Sequence, residues 1–193
     1  MGKEKTYKRI IELSTQKFFS SGFSKISMDE IVKELGMSKA TIYRYYNSKS
    51  ELCSAVINNF FGEIESIIFE LKEQNISTYD RIYLFMEKLS IKLDAISIQA
   101  ANDIETTAPY LYKEFMDKRK KVILDNLASL LDEGKKSGEF RSDISEVLVA
   151  NMIFASVSRL SSKEFMINNN FSYSEILRGI LNVIIEGYMS KDI

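Results

Sequence analysis

A single proline, Pro109, interrupts this chain of 193 residues. Proline breaks the interior of a helix, so its near absence leaves long stretches free to be helical. Apolar residues recur along these stretches at helical spacing, and no stretch shows the alternation of a half-buried strand. The sequence therefore predicts an all-α protein. The nine predicted helices run near residues 3–21, 28–35, 39–45, 49–74, 78–97, 99–106, 109–137, 144–166 and 173–190.

Residues that begin and end helices mark most of these boundaries. Gly22 can adopt the left-handed conformation that ends a helix, and Phe23 can then fold back onto Phe18. Gly138 ends the helix that Pro109 opens. Four capping boxes, each a short polar residue with Glu three positions later, predict helix starts. They are Ser27/Glu30, Ser48/Glu51, Asp143/Glu146 and Ser172/Glu175.

The chain has no histidine and only one cysteine, Cys53. Without histidine it lacks the Ser-His-Asp and Cys-His catalytic arrangements and every His-containing zinc site. One cysteine cannot form a disulfide framework, and Cys53 is predicted to be a small core residue. Acidic residues adjacent in sequence, such as Asp29 and Glu30, diverge on a helix and make no acid–base pair. We therefore expect no enzyme, no metal and no cofactor.

Hydropathy gives no sign of a membrane partner. No run reaches the ~18 uninterrupted apolar residues of a membrane span. The charged N-terminus leads straight into a periodic segment rather than the apolar core of a signal peptide. The sequence therefore predicts a cytoplasmic protein with no membrane partner.

Charge is distributed unevenly along the chain. Residues 1–53 hold ten Lys and Arg against six Asp and Glu, a net charge of +4, whereas the whole chain carries −1. A basic first quarter predicts contact with a polyanion, although chance scatter of surface charge is an alternative. The balance changes near Cys53, inside a long predicted helix. We place the boundary between two domains, 1–53 and 54–193, at this point.

The segment from Ser27 to Glu51 is the most informative part of the sequence. It consists of a short capped helix, a turn at Gly36 and a second short helix from about residue 39. Ile31 and Ile42 are spaced to pack the two helices against each other. Two short helices joined through a turn with Gly form a helix-turn-helix unit, whose second helix can lie in the DNA major groove. The alternative is a capped helix pair with no role in DNA binding.

Helical geometry indicates which side chains of this segment would meet DNA. Ile42 and Tyr46 share the inward face of the second helix, so Tyr46 is predicted to be a core residue. Arg44 points the opposite way and can bond guanine bidentately. Lys49 lies in the first turn of the next helix, where backbone N–H groups favour a phosphate. The candidate DNA-contacting residues from this geometry are Lys25, Ser27, Ser38, Lys39, Ala40, Thr41, Tyr43, Arg44 and Lys49.

The segment resembles the DNA-binding domain of the TetR family of bacterial transcriptional regulators. The family pattern has a phenylalanine pair, a Gly-Phe, a Ser or Thr before an acidic helix, and a Gly turn. The pattern continues with a recognition helix of the form Thr-Ile/Leu-Tyr-x-x-Phe/Tyr. It ends with a Lys before an acidic residue. The residues in register with this pattern are Phe18, Phe19, Gly22, Phe23, Ser27, Ile31, Gly36, Thr41, Ile42, Tyr43, Tyr46, Lys49 and Glu51.

The resemblance implies roles for individual residues. It implies that Thr41 and Tyr43 contact bases or the DNA backbone and that Lys49 binds a phosphate. It also implies that positions 38, 39, 44 and 45 set the operator sequence, which adds Tyr45 to the candidates. Many family members carry His where this chain has Tyr45, so the base preference there stays open.

The last two predicted helices are apolar on more than one side. Such helices are buried in a large core or shared with a second chain. The resemblance implies a four-helix interface between two protomers, so we expect a homodimer on a near-palindromic site. Burial in the core of the protomer is the alternative. The candidate interface residues are Phe154, Val157, Ile176, Ile180, Ile184 and Tyr188.

Aromatic and methionine residues are concentrated between the long fourth helix and this predicted interface. At helical spacing such side chains are usually ordinary core. The resemblance implies that the region holds a pocket for a small-molecule effector, which its composition suggests is apolar or aromatic. The candidate pocket residues are Phe61, Phe85, Met86, Leu89, Ile104, Tyr110, Phe115, Met116 and Met152.

The sequence therefore predicts an N-terminal three-helix DNA-binding domain followed by a helical dimerisation and ligand-binding domain. The expected protein is a TetR-like repressor of transcription that binds double-stranded DNA as a homodimer and is released by a small effector. The alternative is a helix-turn-helix protein without a small-molecule effector, acting through a protein partner or as a nucleoid-associated factor.

Overall fold

A computed structural model describes residues 2–189 and confirms the all-α prediction. The described residues form ten helices and no β-strand, apart from an isolated bridge between Phe140 and Met189. The helices are α1 (Gly2–Ser21), α2 (Met28–Leu35), α3 (Lys39–Tyr43), α4 (Lys49–Lys72), α5 (Thr78–Asp94), α6 (Ile98–Thr107), α7 (Pro109–Lys136), α8 (Glu146–Leu160), α9 (Lys163–Asn169) and α10 (Tyr173–Glu186).

The tenth helix arises because the segment predicted as one helix over 144–166 is divided. The backbone N–H of Ser161 bonds the carbonyl of Val157 and ends α8. Ser162 then becomes the N-cap of α9, and its side chain accepts a hydrogen bond from the N–H of Phe165. Two consecutive serines thus end one helix and start the next, since serine bonds nearby backbone groups readily.

The predicted helix caps have mixed outcomes. The capping boxes at Ser27 and Ser172 are confirmed, each with both reciprocal bonds. At Ser48 only half of the box forms: its hydroxyl accepts from the N–H of Glu51, whose carboxylate turns to Asn47 instead. The box at Asp143 and Glu146 is wrong. There Ser145 is the N-cap, because Asp143 pairs with Arg141 at 2.7 Å and Glu146 with Lys135 at 2.8 Å.

The chain divides into two compact units. The first contains the residues up to Glu63 together with Lys92–Arg119, and its core includes the fully buried Ile31 and Ile42. The second contains Ile64–Ile91 and the residues from Lys120 onward, with Ile82, Phe85 and Leu127 in its core. The division into domains 1–53 and 54–193 stays a prediction.

Among the described helices, α4 alone has the length and apolar composition that a membrane span would need. Half of its most apolar window is buried inside the protein. Leu52, Val56 and Ile64 are among its fully buried residues. A core helix of this length passes the same test, and α4 packs as one.

Candidate nucleic-acid interface and effector cavity

Reciprocal hydrogen bonds fix the start of α2. The Ser27 hydroxyl accepts from the N–H of Glu30 at 3.2 Å, and the N–H of Ser27 donates to the Glu30 carboxylate at 2.6 Å. These bonds from the Ser27 backbone and hydroxyl hold the pKa of Glu30 below its usual value. Ile31, Val32 and Leu35 are buried, so α2 is anchored at its cap and along its inner face.

The turn between α2 and α3 depends on Gly36. This residue has a φ of 63°, in the left-handed region that favours glycine, and its N–H bonds the carbonyl of Lys33. The chain then enters α3 at Ser38, whose hydroxyl accepts from the N–H of Thr41 at 3.1 Å. Gly36 thus re-aims the chain, and Ser38 caps the helix that follows.

The side chains of α3 and the turn after it divide between two faces. Ile42 is fully buried and Tyr46 is 5% exposed, so the prediction that Tyr46 belongs to the core is confirmed. This burial raises the pKa of the Tyr46 hydroxyl. On the other face, five of the predicted contact residues are exposed, namely Ser38, Lys39, Ala40, Tyr43 and Arg44, and Thr41 and Tyr45 are partly buried.

Several predicted contact residues already have partners within the protein. The Lys39 ammonium lies 2.7 Å from the carboxylate of Asp29, and this hydrogen bond raises the pKa of Lys39. The Tyr45 hydroxyl donates to the carbonyl of Lys3 at 3.3 Å. These bonds fix the positions of the Lys39 and Tyr45 side chains at the surface of the helix-turn-helix.

Lys49 holds the loop before α2. Its ammonium donates to the carbonyls of Phe23 and Ile26, at 2.9 and 3.0 Å, and lies 4.3 Å from the centre of the Phe23 ring. Lys25 lies exposed in the same loop. The structure therefore places Lys49 as a brace under the loop that carries Lys25 and Ser27.

An apolar cavity of about 370 Å³ lies within the first unit. Its walls come from α1 and the loop after it, from α4, from the segment around α6 and from α7. The lining residues are Phe18, Phe19, Phe23, Cys53, Ile57, Leu93, Ile96, Ile98, Ala100, Ala101, Ile104, Tyr112, Phe115, Met116 and Arg119.

Three of the nine predicted pocket residues line this cavity: Ile104, Phe115 and Met116. Phe61 contacts Phe115 with ring centres 5.1 Å apart, and Tyr110 is exposed with its hydroxyl 2.5 Å from that of Ser50. The others belong to the second unit, where Phe85, Met86 and Leu89 are buried in its core and Met152 is exposed on α8.

The sequence interpretation missed the contribution of α1 to the cavity. The sequence assigns Phe18, Phe19 and Phe23 to the family pattern, and Phe18 and Phe23 also to a contact at the helix end, but all three line the cavity wall as well. The ring of Phe23 does fold back onto Phe18, as predicted, with centres 6.0 Å apart. Phe19 follows Phe18 by one position and so faces about 100° away on the helix. Apolar residues in two directions on α1 therefore indicate that this helix makes a second apolar contact, which is with the cavity.

Cys53 lies in the cavity wall and is 2% exposed, which confirms its prediction as a core residue. Burial, with a smaller contribution from the charge of Glu114, raises the pKa of its thiol to about 12. Because the thiolate is the reactive form, this thiol is inert at neutral pH.

Hydrogen bonds of long sequence range tie α6 to the end of α1. The N–H and hydroxyl of Ser97 donate to the carbonyls of Phe19 and Ser20, both at 2.9 Å. The carboxylate of Asp103 accepts from the N–H of Ser24 at 2.7 Å and also from its hydroxyl. We call these contacts of Ser97 and Asp103 the α6 clamp.

The clamp explains a requirement for glycine at position 22. Gly22 has a φ of 100°, and an added Cβ would lie 2.8 Å from a carboxylate oxygen of Asp103. Burial alone would raise the pKa of Asp103, but the bonds from Ser24 and the charge of Lys25 outweigh it and lower that pKa. The clamp therefore depends on an ionised carboxylate and on the absence of a side chain facing it.

An apolar groove runs over α8, α9 and α10 in the second unit. Of the predicted interface residues, Ile176, Ile180 and Ile184 line it. Val183 also lines it and is 79% exposed. The remaining predicted interface residues do not line it: Phe154, Val157 and Tyr188.

Tyr188 lies in the core of the protomer. It is 1% exposed, its ring lies tilted against that of Phe140 with centres 5.2 Å apart, and its hydroxyl donates to the carbonyl of Ile144 at 3.2 Å. Phe154 is partly buried and Val157 is buried within the same unit. The structure thus brings together the α10 half of the predicted interface.

The described part of the chain contains no group of three or more His, Cys, Asp or Glu residues placed to hold a metal ion.

Two family models match the chain. One, described as bacterial regulatory proteins of the tetR family, matches residues 10–56. The other, described as the C-terminal region of YsiA-like protein, matches residues 111–187. An uncharacterized HTH-type transcriptional regulator of Bacillus subtilis, YvaF, is 24% identical over 189 residues, which cover 96% of either chain.

Solved structures share the fold. A transcriptional regulator from Cytophaga hutchinsonii has a TM-score of 0.78 at 18% identity, covering 98% of this chain and 100% of that one. FadR from Bacillus subtilis, solved in complex with stearoyl-CoA, has a TM-score of 0.69 at 20% identity, covering 94% of this chain and 98% of that one.

A capped helix-turn-helix near the N-terminus, followed by a helical body, defines the class of helix-turn-helix transcriptional regulators. The matched regions place this chain within one family of that class. The chain belongs to the TetR family of bacterial DNA-binding transcriptional regulators, as its sequence pattern predicts. The comparisons lend no support to the alternative of a protein without a small-molecule effector.

Proposed function

We propose that this protein is a homodimeric repressor that reads a near-palindromic operator through α3 and leaves it when a compact apolar molecule enters the cavity. The observation that carries the proposal is the division of the α3 segment into two faces. Ile42 and Tyr46 are buried while Lys39, Ala40, Tyr43 and Arg44 are exposed together. An exposed, capped helix with this set of side chains fits a major groove.

Arg44 is the residue to which we assign most of the sequence preference. It is exposed where α3 ends, and a guanidinium can bond both acceptors of guanine. Ala40 and the methyl group of Thr41 suit the methyl group of thymine. The exposed Tyr43 hydroxyl supports a phosphate contact that fixes the register of the helix.

Lys39 and Lys25 supply charge for the DNA backbone. Both are exposed, and Lys39 is held by Asp29, an ion pair that a phosphate would have to replace. Lys49 supports the same surface indirectly, since it braces the loop before α2. The cost of breaking the Lys39 pair is small, because both side chains are exposed and water screens their attraction.

We assign dimerisation to the groove on α8–α10. Val183 is 79% exposed beside Ile180 and Ile184, and a large apolar residue in such a position gains by burial against a second copy. Two-fold symmetry would then present two α3 segments to half-sites about one DNA turn apart.

We assign effector sensing to the cavity because its walls include residues of the α1 segment to which the α6 clamp bonds. A ligand that fits only one arrangement of Ser97 and Asp103 against α1 would shift the population between DNA-competent and incompetent states. The stearoyl-CoA complex of the FadR neighbour supports a small-molecule role for this fold. As a regulator of bacterial transcription the protein works in the cytoplasm, and we assign it no catalytic role.

The test of DNA reading is selection of bound duplexes from a random pool, followed by affinity measurements over a salt series. We expect an inverted repeat whose binding weakens as salt rises, because Lys and Arg release counterions from phosphates. Arg44→Ala should cost about 1–3 kcal/mol of discrimination at one base pair. Lys113→Ala removes one charge from α7 and is the matched control. No enriched sequence at low salt would overturn the proposal.

The test of dimerisation is Val183→Arg, measured by sedimentation velocity. We expect a dimer for the wild type and a monomer for Val183→Arg, since a charge cannot be buried in an apolar contact without a partner. Ser174→Arg is the control, because it lies about 180° away on α10. A Val183→Arg protein that remains dimeric would remove this groove from the interface.

A further inference from the structure

We infer that the first turns of α1 form a further DNA-binding site, in which Lys3 and Lys5 bind phosphates next to the base pairs that α3 contacts. The inference rests on the proposed reading of an operator through α3 and adds a second contact surface to it. The first family model begins at residue 10, so both lysines lie outside the matched stretch.

The positive charge of the first quarter of the chain is concentrated at the start of α1. Residues 3–9 hold four Lys and Arg against one Glu, a net charge of +3. Residues 10–53, which contain the helix-turn-helix, hold six Lys and Arg against five Asp and Glu, a net charge of only +1. The start of α1 therefore contributes most of the attraction that the first 53 residues exert on a polyanion.

The ammonium groups at the start of α1 are open to a ligand. Lys3 and Lys5 are both exposed, and neither forms an ion pair with any residue that the structure describes. The first ion pair along the chain joins Lys8 to Glu12 at 3.9 Å, and both of these side chains are mostly exposed. A pair of this kind is weak and does not hold Lys8 away from a phosphate.

Several lysines further along the same unit are engaged within the protein. The ammonium of Lys17 lies 2.5 Å from the carboxylate of Glu34, and that of Lys49 donates to two carbonyls of the loop before α2. A phosphate would have to replace these partners, whereas no described acidic residue competes for Lys3 or Lys5. Binding of DNA is driven by the release of its counterions, so lysines without a competing carboxylate contribute most to it.

Two hydrogen bonds join the start of α1 to the helix-turn-helix. The hydroxyl of Tyr45 donates to the carbonyl of Lys3 at 3.3 Å, so the first turn of α1 lies beside the chain that follows α3. The guanidinium of Arg9 donates at 3.2 Å to the carbonyl of Leu35, the last residue of α2. Lys5 precedes Arg9 by four positions and so lies on the same side of α1, one turn nearer its start. The start of α1 is thus bonded to residues just before and just after α3.

The chemistry of lysine defines what this site contacts. Its ammonium is a compact charge on a long flexible stem, so Lys3 and Lys5 can reach the DNA backbone while α1 stays outside the groove. A phosphate contact fixes the position of a protein on the duplex and carries no sequence information directly. The α1 site should therefore strengthen binding to every sequence and leave the choice of bases to α3.

The test measures the affinity of the full chain for two duplexes over a salt series, by fluorescence anisotropy. One duplex is the operator selected from the random pool, and the other has an unrelated sequence. For Lys3→Gln/Lys5→Gln, the slope of log affinity against log salt should become less steep by about 0.9 for each lysine that contacts a phosphate, or up to about 3.6 for the four lysines of a dimer. The preference for the operator should stay within about twofold of the wild type, because phosphate contacts weaken binding uniformly across sequences.

Lys113→Gln/Lys120→Gln is the matched control. It removes two exposed lysines that lie seven positions apart on one face of α7, so it changes the net charge by the same amount. Its salt slope should equal that of the wild type. Glutamine forms helices about as readily as lysine, so both double variants should keep the urea midpoint of the wild type. A control that lowers the slope as much as the α1 variant would overturn the site, because the loss would then follow net charge alone.

The outcomes separate this site from the proposed reading of an operator. An unchanged slope for Lys3→Gln/Lys5→Gln, with Arg44→Ala still relaxing the sequence preference, would overturn the α1 site and leave reading through α3 standing. A pool that yields no enriched sequence would overturn operator reading, and a lower slope on the unrelated duplex would then still support phosphate binding by α1. A changed base preference in Lys3→Gln/Lys5→Gln would overturn the assignment of these lysines to phosphates.

Discussion

The helix-turn-helix and the cavity region belong to the same compact unit but are held together in opposite ways. In the helix-turn-helix, the bonds that cap α2 and α3 join residues three positions apart. Ile31 and Ile42 fill its interior with no exposed surface. The cavity region is tied by bonds between residues 77 and 79 positions apart, and it leaves about 370 Å³ unfilled.

Because of this difference, we expect the helix-turn-helix to keep its shape and the cavity region to be able to change its own. A closely packed interior with locally satisfied caps transmits a displacement as a rigid body. A region with unfilled space and a few long-range bonds can adopt a second arrangement at low cost. We therefore propose that the helix-turn-helix moves as a rigid unit and that a change of arrangement around α6 controls this movement.

The largest loss of stability should come from removing buried atoms inside the helix-turn-helix. Ile42→Ala should lower the free energy of unfolding by about 2–5 kcal/mol, because a closely packed interior cannot collapse around the missing atoms. Urea unfolding followed by circular dichroism measures the change. Ala40→Ser, on the exposed face of the same helix, should change it by less than about 0.5 kcal/mol. A loss below about 1 kcal/mol for Ile42→Ala would mean that this interior is not closely packed.

Breaking the α6 clamp should have the next largest effect. Asp103→Ala should destabilise the protein by about 1–3 kcal/mol, since it removes the acceptor of a charged hydrogen bond from Ser24. Glu105→Ala, an exposed position on α6, is the control. The same variant should weaken the coupling between ligand and DNA, measured as the ratio of DNA affinities with and without ligand. An unchanged ratio would exclude the clamp as the connection.

The contribution of Asp103 should also depend on pH. Because the folded protein lowers the pKa of this carboxyl, its contribution is present above the ordinary aspartate pKa of about 3.9 and is lost as the pH falls through the folded value. The difference in stability between the wild type and Asp103→Asn should therefore shrink below about pH 4. A constant difference down to pH 2 would show that the carboxylate charge does not stabilise the clamp.

A smaller effect is expected at the cap of α2. Ser27→Ala should cost about 1 kcal/mol, the usual value of an N-cap, while Ser27→Asp should restore most of it because aspartate also accepts from the helix N–H groups. The two variants are compared by their urea midpoints. If Ser27→Asp were as unstable as Ser27→Ala, the hydroxyl would act through its contact with Glu30 rather than as a cap.

The smallest expected change is a gain in stability rather than a loss. Ala101→Leu puts three carbon atoms into unfilled space and should stabilise the protein by about 0.5–1 kcal/mol, at the low end for a cavity-filling substitution. Ala40→Leu, on the exposed face of α3, has no space to fill and should stay within about 0.5 kcal/mol of the wild type. Destabilisation by Ala101→Leu would mean that the cavity walls are already rigid, which would remove the contrast between the two regions.

The same contrast explains what the sequence could predict. The turn at Gly36, the cap at Ser27 and the contact of Phe23 with Phe18 all depend on neighbours within a few positions, and each was predicted correctly. Where a local pattern had a competitor, it failed: Asp143 matched a capping box, but Arg141 offers it a charged partner.

The cavity could be predicted only in part, because its walls come from separate parts of the chain. Phe115 and Met116 were candidates because the family resemblance implies a pocket in a region rich in aromatic and methionine residues, and both line the cavity. The second apolar direction on α1 indicates a further contact but not its partner, because Ser97 and Asp103 bring α6 to α1 across more than 70 positions. Arg119 was overlooked because a charged residue on a long helix is usually solvated.

The α6 clamp limits how the first 56 residues, which include the helix-turn-helix, can be exchanged between related proteins. Ser97 and Asp103 lie outside residues 10–56, the stretch that the first family model matches, yet they bond Phe19 and Ser24 within it. A chimaera carrying another regulator's first 56 residues would set a foreign loop against Asp103, where even a methyl group at position 22 collides. We therefore propose that a change of operator be made by substituting positions 38, 39, 44 and 45 in place, or by transferring α6 together with the first 56 residues.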